Sequence, residues 1–518
     1  MKLFIKKPIA QLMAASKEGE KTLKRTLGVG SLIALGIGAI IGAGIFVRTA
    51  AAAGQHAGPA VTISFLIAAA GCALAGLCYA EFASMIPIAG SAYTYSYATM
   101  GEFIAWIIGW DLVLEYALGA ATVAIGWSQY FNTFLETFFG THIPFALSHS
   151  PFEVSTTNTG MYAAELGTRG IINLPAVFIL LMLTLLLIKG TAESAAVNNI
   201  IVIIKVAIVL LIIGLGWSFI NPAFHTPYMI PADAGTVVTN TGTVNYADTF
   251  NHGWLGVLRG ASVVFFAFIG FDAVSTAAQE AKNPQKDMPK GILISLVFCT
   301  ILYILFSHVL TGLISYKDFL VQGKEASVTY AINTAMHGYG WLGKLVTIAI
   351  LAGFSSVILV MLLGQTRVFY TMSVDGLIWP IFSKLHTKFR TPYKSQWFFF
   401  VMVSLFAGFI PDSIVGDMVS IGTLFAFVLV CIGIFILRRT DPTIVRPFKT
   451  PWYMIVCPLG ALICLCMMAS EGTENWLRLF IWMGLGMIIY FTYSIKHSHV
   501  RHGKPEDAND PPNPKFVE

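Results

Sequence analysis

Charge is what this sequence has least of. Asp, Glu, Lys and Arg make up 11% of its 518 residues, where soluble domains carry about 25%. So low a share excludes an ordinary water-soluble enzyme. The net charge of +5 does not point to nucleic acid, which calls for a basic patch or stripe. Cysteine is scarce too. Cys72, Cys78, Cys299, Cys431, Cys457, Cys464 and Cys466 all fall within apolar runs. Buried free cysteine acts as a small hydrophobe, so disulfides are not expected, and Cys464-x-Cys466 lacks metal-site spacing. The outer loops have no Asn-x-Ser/Thr glycosylation acceptor, which favours a bacterial inner membrane. The spans hold no nucleophile, base and orienting group in a recognisable arrangement, and no metal motif. Neither an enzyme nor a cofactor is expected.

Apolar runs are what the chain has in abundance, with 56% hydrophobic residues. About twelve runs, most near the length that crosses roughly 30 Å of hydrocarbon, cover 30–52, 59–82, 103–134, 172–190, 195–220, 255–278, 289–314, 341–372, 396–411, 414–437, 452–470 and 475–495. The fold class is an all-α polytopic membrane protein with no separate soluble domain. With the N-terminus inside, roughly 24 of the 32 Lys and Arg fall on the inner side. They lie in the arm 1–26, at Lys282, Lys286 and Lys290, between Arg367 and Lys394, from Arg438 to Lys449, and in the tail 497–518. An even number of helices with both termini cytoplasmic explains that bias. The first run is too long for a secretory signal and has no small-residue cleavage site, so it reads as a signal anchor. The arm before it reads as solvated.

The chain is organised around Gly36-Ile37-Gly38-Ala39-Ile40-Ile41-Gly42-Ala43-Gly44-Ile45-Phe46. Glycine costs roughly 1 kcal/mol against alanine in a helix interior, but it lets backbone leave the helical path and approach a ligand. In a bilayer, broken helix is tolerated only when it is buried in protein or lines a wet cavity. One reading is a discontinuous helix whose bared N–H and C=O groups hold a small zwitterion. The other is a close helix contact through small residues. The sixth run repeats the feature. Gly270 interrupts Phe265-Phe266-Ala267-Phe268-Ile269-Gly270-Phe271-Asp272, and Asp272 suits a cap for the half-helix that restarts. Two interrupted runs five helices apart are what an inverted five-helix repeat predicts. The chain then divides into a first repeat over 27–220, a second over 253–437, and two further helices over 450–496. Those last helices read as lipid-facing or dimer-forming, so a second copy or a small single-helix membrane protein is the macromolecular partner expected.

Few ionisable residues interrupt the runs. Asp111 and Glu115 share one helix face at i, i+4, with Glu115 about 18 Å along the helix, near mid-membrane. A carboxylate there is costly unless it is paired, protonated or facing water. Glu115 reads as a proton site or cavity charge; Asp111, nearer the inner edge, reads first as a structural hydrogen bond to a neighbouring loop. Lys205 is the one Lys or Arg well inside a run, about 14 Å from its inner end. It either snorkels to the interface or faces the bundle interior and gains and loses a proton during a cycle. Its depth matches that of Glu115, so the two are able to pair. Ser355 and Ser356 either bond their own backbone or face a cation. Met361 reads as packing or as pocket wall. His497, His499 and His502 read as a solvated end.

Taken together, Gly38 to Phe46, Pro87-Ile88-Ala89-Gly90-Ser91-Ala92-Tyr93, Gly109-Trp110-Asp111-Leu112-Val113-Leu114-Glu115-Tyr116, Phe265 to Asp272 and Gly364-Gln365-Thr366-Arg367 resemble an amino-acid permease of the amino acid–polyamine–organocation superfamily. Within it they are similar to the bacterial form of the cationic amino acid transporter family. The resemblance implies five helices repeated upside down, then two more. It implies a substrate carboxylate held by N–H groups near Gly42, Ala43 and Gly44. The α-amino group would be held by carbonyls of Ile40, Ile41, Phe266, Ala267 and Ile269, with Phe268 as an aromatic gate. It also implies that Lys205, beside Ser355 and Ser356, stands where sodium-coupled relatives hold sodium, which makes protons the coupling ion. Members that carry arginine tend to have a smaller polar residue at Met361, which favours small neutral amino acids here. The expected function is proton-coupled amino-acid import. The alternatives are an ion-independent exchanger and a membrane amino-acid sensor on a transporter body.

Overall fold

The computed structural model describes all residues except 1–2, 8–26, 43, 87–90, 157–160, 190–193, 240–241, 277–280, 321–326, 388, 390 and 503–518. Ala43, most of the arm, and Pro87 to Gly90 of the first inner loop therefore lie outside the described residues. The rest is mainly helical. Eight helical stretches are long and apolar enough to cross a membrane, and the first of them, Val29–Met85, contains two of the sequence runs. Two shorter apolar helices, Leu174–Lys189 and Gly253–Phe268, accompany them. The protein is an integral membrane protein of the all-α polytopic class.

The first run forms α1 (Val29–Ile40) and, after a break, resumes at Gly44–Arg48. Then come α2 (Val61–Met85), α3 (Ser91–Thr99), α4 (Glu102–Val113) and α5 (Gly119–Phe139). Helices α6 (Leu174–Lys189) and α7 (Ser194–Gly216) complete the first half. Local chemistry sets the ends. Gly140 closes α5 in the left-handed conformation (φ 63°), and its N–H donates to Glu136 O at 3.0 Å, the αL cap. The second half begins with α8 (Gly253–Phe265) and the short α9 (Ala273–Thr276). It continues through α10 (Pro284–Leu313), α11 (Ser327–Ala335), α12 (Gly340–Val374), α13 (Tyr393–Phe409) and α14 (Asp412–Thr440). Asp412 in the first turn of α14 and Arg438 and Arg439 in its last match the helix dipole at both ends. Helices α15 (Tyr453–Ser470) and α16 (Thr473–Ile489) follow.

Helix α10 packs along α1 and α2, α12 along α5, and α14 along α15. The α3 segment, which carries no Lys or Arg, is tucked against the bundle: Tyr93, Tyr95 and Tyr97 are buried. A two-stranded hairpin, Thr236–Thr239 with Gly242–Asn245, stands in a loop where the apolar pattern signals no strand. The start of the arm is docked on the bundle, although Phe4 and Lys6 stay exposed. Residues 3–7 run beside α3 and α4, where Glu102 N–H donates to Ile5 O (2.9 Å) and Lys7 N–H to Tyr97 O (3.2 Å). Lys7 is 6% exposed, and its ammonium pairs with Asp375 at 2.9 Å. The carboxyl of Glu102 also receives Arg501, so both ends of the described chain meet on one face, called here the terminal face.

Candidate functional site

Both glycine-marked runs are broken, and the breaks touch. After Ile40 the backbone leaves the helix at Ile41 (φ −74°, ψ 99°) and resumes as a widened turn over Gly44–Arg48. In the second run α8 tightens over Phe266–Phe268, and Ile269 turns out at φ −58°, ψ 136°. Gly270 follows at φ +107°, a conformation that side chains rarely adopt. A Cβ on Gly270 would lie 3.0 Å from Ala39 O, and one on Gly44 would overlap the backbone of Ala267. The glycines are therefore spent twice, on breaking the helices and on letting the breaks cross.

Each break bares carbonyls, since the last turn of a helix has no partners for them. Two side chains cover those of α1. Lys205 on α7 is 3% exposed, and its Nζ donates to Ile41 O (2.9 Å), Gly38 O (3.2 Å) and Ser356 Oγ (2.8 Å). An ammonium at a helix C-terminus is also what the helix dipole favours. Tyr303 on α10 shares its hydroxyl proton between Ile40 O (2.8 Å) and Ala267 O (2.9 Å), one carbonyl from each break. Phe266 O accepts from Ile269 N–H. Thr49 and Tyr130 donate to Gly44 O and Phe46 O on the resumed half.

The structure thus brings together Ile40, Ile41, Gly42, Gly44, Phe266, Ala267, Ile269, Lys205 and Ser356. Phe268 is buried against Phe65 and Tyr303, with ring centroids 6.2 and 5.3 Å away. Met361 on α12 is buried beside Gly119, where α5 begins. Ser355 points elsewhere and bonds Leu351 O in its own helix. Glu115 does not pair with Lys205. It sits on a widened turn, Leu114–Leu118, is 1% exposed, and the charged groups acting on it are Asp272 and Asp111. Tyr116 donates to Asp272 at 2.6 Å. Glu115 therefore belongs to a carboxyl cluster at the second break, while Lys205 belongs to the first.

Sequence reasoning missed Tyr303, one of three aromatics in an apolar helix with nothing to single it out. It also missed that Arg48 and Arg259 are buried. At the face opposite the termini, Arg48 pairs with Asp417 (2.8 Å) and Asp412 (3.3 Å), and Arg259 with Asp417 (2.7 Å) and Glu471. Asn475 donates to both Asp417 and Glu471. Burial pushes the Glu471 carboxyl up, against the opposing pull of the Arg259 charge. The cluster joins the far halves of both broken runs to α14 and to the turn between α15 and α16.

Comparison with known proteins matches residues 27–491 to the amino acid permease family model. A branched-chain amino acid permease, BcaP, of Bacillus subtilis (strain 168) is 44% identical over 96% of this chain and 98% of its own. A methylthioribose transporter of the same organism is 41% identical over the same shares. The vacuolar cationic amino acid transporter 4 of Arabidopsis thaliana is 34% identical over 85% of this chain and 68% of its own.

Proposed function

This chain belongs to the amino acid permease family, whose members are membrane transporters and not enzymes, and on that premise we propose that it imports small neutral amino acids with protons by alternating access. The observation that carries the reading is the meeting of two broken helices whose carbonyls are held by Lys205 and Tyr303. Half-helix N-termini suit a carboxylate and carbonyl ends suit an ammonium, so the same peptide groups can exchange internal partners for a zwitterion. Breaks five helices apart fit a unit over 27–220 repeated upside down over 253–437. The terminal face is the cytoplasmic one, as the Lys and Arg bias suggests.

Two titratable loci flank the site. Lys205 is the first: protonated, it steadies the first break in the substrate-bound, outward state, and proton loss to the inside releases substrate. Glu115 beside Asp272 is the second. Phe268 and Met361 make the surroundings apolar, which suits a neutral side chain. BcaP, by its name a carrier of branched-chain amino acids, points the same way.

Uptake into proteoliposomes under an imposed pH gradient is the test, with Lys205→Ala beside the parent. The parent should accumulate substrate only with the gradient, and the variant should lose that dependence. Equal proton dependence in both would remove Lys205 from coupling. Trans-stimulation with no pH effect in the parent would make the protein an exchanger. A thermal-shift panel of the twenty amino acids and methylthioribose identifies the substrate, because bound ligand raises apparent stability.

A further inference from the structure

At the terminal face, the end of α12 and the segment after α16 enclose a cavity of about 280 Å³. Lys496, His497, His499 and His502 line it from the tail, Ser373 and Ser383 from the other side, and its described lining includes no acidic residue. The Lys496 ammonium, with imidazole nitrogens and the hydroxyls of Ser373 and Ser383 around it, makes a donor-bearing wall for an oxyanion, and His497 Nδ1 is already 2.9 Å from Tyr493 O. Beside it, Trp379 lies 5.4 Å from the Tyr493 ring and, like Ile381, is exposed. Such residues mark the level of lipid headgroups.

The tail that forms this wall is anchored on both sides of it. Arg501 Nε donates to Glu102 at 2.5 Å and its Nη2 to Tyr490 at 3.0 Å; Ser498 also reaches Glu102. His499 N–H donates to Asp375 O at 3.1 Å. The carboxyl of that same Asp375 accepts from Lys7 (2.9 Å) and Tyr93 (2.6 Å). Gly376 sits so close that a Cβ there would lie 3.0 Å from His499 Nε2. A group seated in the cavity therefore touches residues that lead directly to the buried Lys7–Asp375 pair.

We propose that this cavity is a phosphate-binding site, for inorganic phosphate or the phosphate of an anionic lipid headgroup, and that its occupant tightens the tail against Asp375. The site stands apart from the transport reading, since none of its residues touches the two breaks.

Thermal unfolding of the full chain in neutral detergent tests it, with inorganic phosphate titrated at constant ionic strength and chloride as control. Apparent Tm of the parent rises and saturates with phosphate but not with chloride. Lys496→Glu with His502→Glu, both at exposed positions, leaves the Arg501–Glu102 anchor in place and abolishes the rise. Should that pair not fold, Lys496→Gln alone should shrink the rise at every phosphate concentration. Vesicles of phosphatidylcholine with and without phosphatidylglycerol separate the two sources. If the lipid is the ligand, phosphatidylglycerol stabilises the parent more than the variant and removes the response to phosphate; if free phosphate is, the response persists. The proposal is overturned if neither agent stabilises the parent, or if both stabilise parent and variant alike.

Discussion

At the scale of single residues, the site depends on two side chains that occupy peptide carbonyls. The ammonium of Lys205 reaches its partners only because Gly353 leaves room: a Cβ there would lie 2.8 Å from Lys205 Cε. Gly353→Ala should push the ammonium off Ile41 O and Ser356 without touching its charge. A hydrogen bond to a charged group contributes about 1.5–3 kcal/mol. Initial uptake should therefore fall roughly ten- to a hundredfold at equal expression, and the pH dependence should weaken with it. Wild-type uptake in this variant would mean that the lysine's position does not matter. Tyr303→Phe is the complementary change. It keeps the ring against Phe65 and Phe268 and removes the proton shared by Ile40 O and Ala267 O. If those carbonyls receive the substrate's ammonium, the hydroxyl competes with it. The variant should be less stable by about 1 kcal/mol when empty and gain a larger Tm shift from substrate than the parent. A smaller shift would make the hydroxyl part of the binding surface instead.

At the scale of elements, the breaks were legible and the pairing of side chains was not. Glycine at 36, 38, 42 and 44, and again at 270, is expensive in a helix, so the glycines flag the two runs that break, although Gly36 and Gly38 themselves stay within α1. The depth of a residue along its helix is also legible, since each residue advances about 1.5 Å. Direction around the axis is harder, because a widened turn such as Leu114–Leu118 rotates everything beyond it and leaves no mark in an apolar run. Glu115, inside that turn, and Lys205 have the same depth by counting along their helices, yet they belong to different breaks. The start of the arm departs from a solvated reading because residues 3–7 are held through backbone bonds and one buried ion pair, neither of which has an apolar pattern. Gly270→Ala tests the second break as an element. The left-handed backbone and the 3.0 Å approach to Ala39 O together should cost about 1–3 kcal/mol, seen as a lower Tm, with uptake lost. A variant that stays as stable as the parent would show that the break tolerates ordinary backbone geometry.

At the scale of the whole molecule, the face opposite the termini is held by charge in a protein that has little of it. Arg48 follows the first break, Arg259 precedes the second, and Asp417 on α14 bridges both guanidinium groups. The far halves of the two broken runs are thus tied to one helix outside the crossing, and through Glu471 and Asn475 to the last two helices. Any opening of the site toward that face must separate these groups, so their coupling sets part of the cost of opening. Exposed ion pairs couple by about 0.2–1 kcal/mol, whereas removing one partner of a buried pair costs about 3–5 kcal/mol because the other charge stays uncompensated. Arg48 is only 2% exposed and Asp417 18%, so the pair is part-buried and its coupling should fall between those two regimes. A double-mutant cycle of Arg48→Met and Asp417→Asn, read by thermal unfolding without substrate, should return a coupling above about 1 kcal/mol. Each single change should lower Tm, and the double change should lower it by less than their sum. Additive losses would mean that the two groups are neighbours without being partners, and the far face would then be held by the Arg259 pairs and apolar packing.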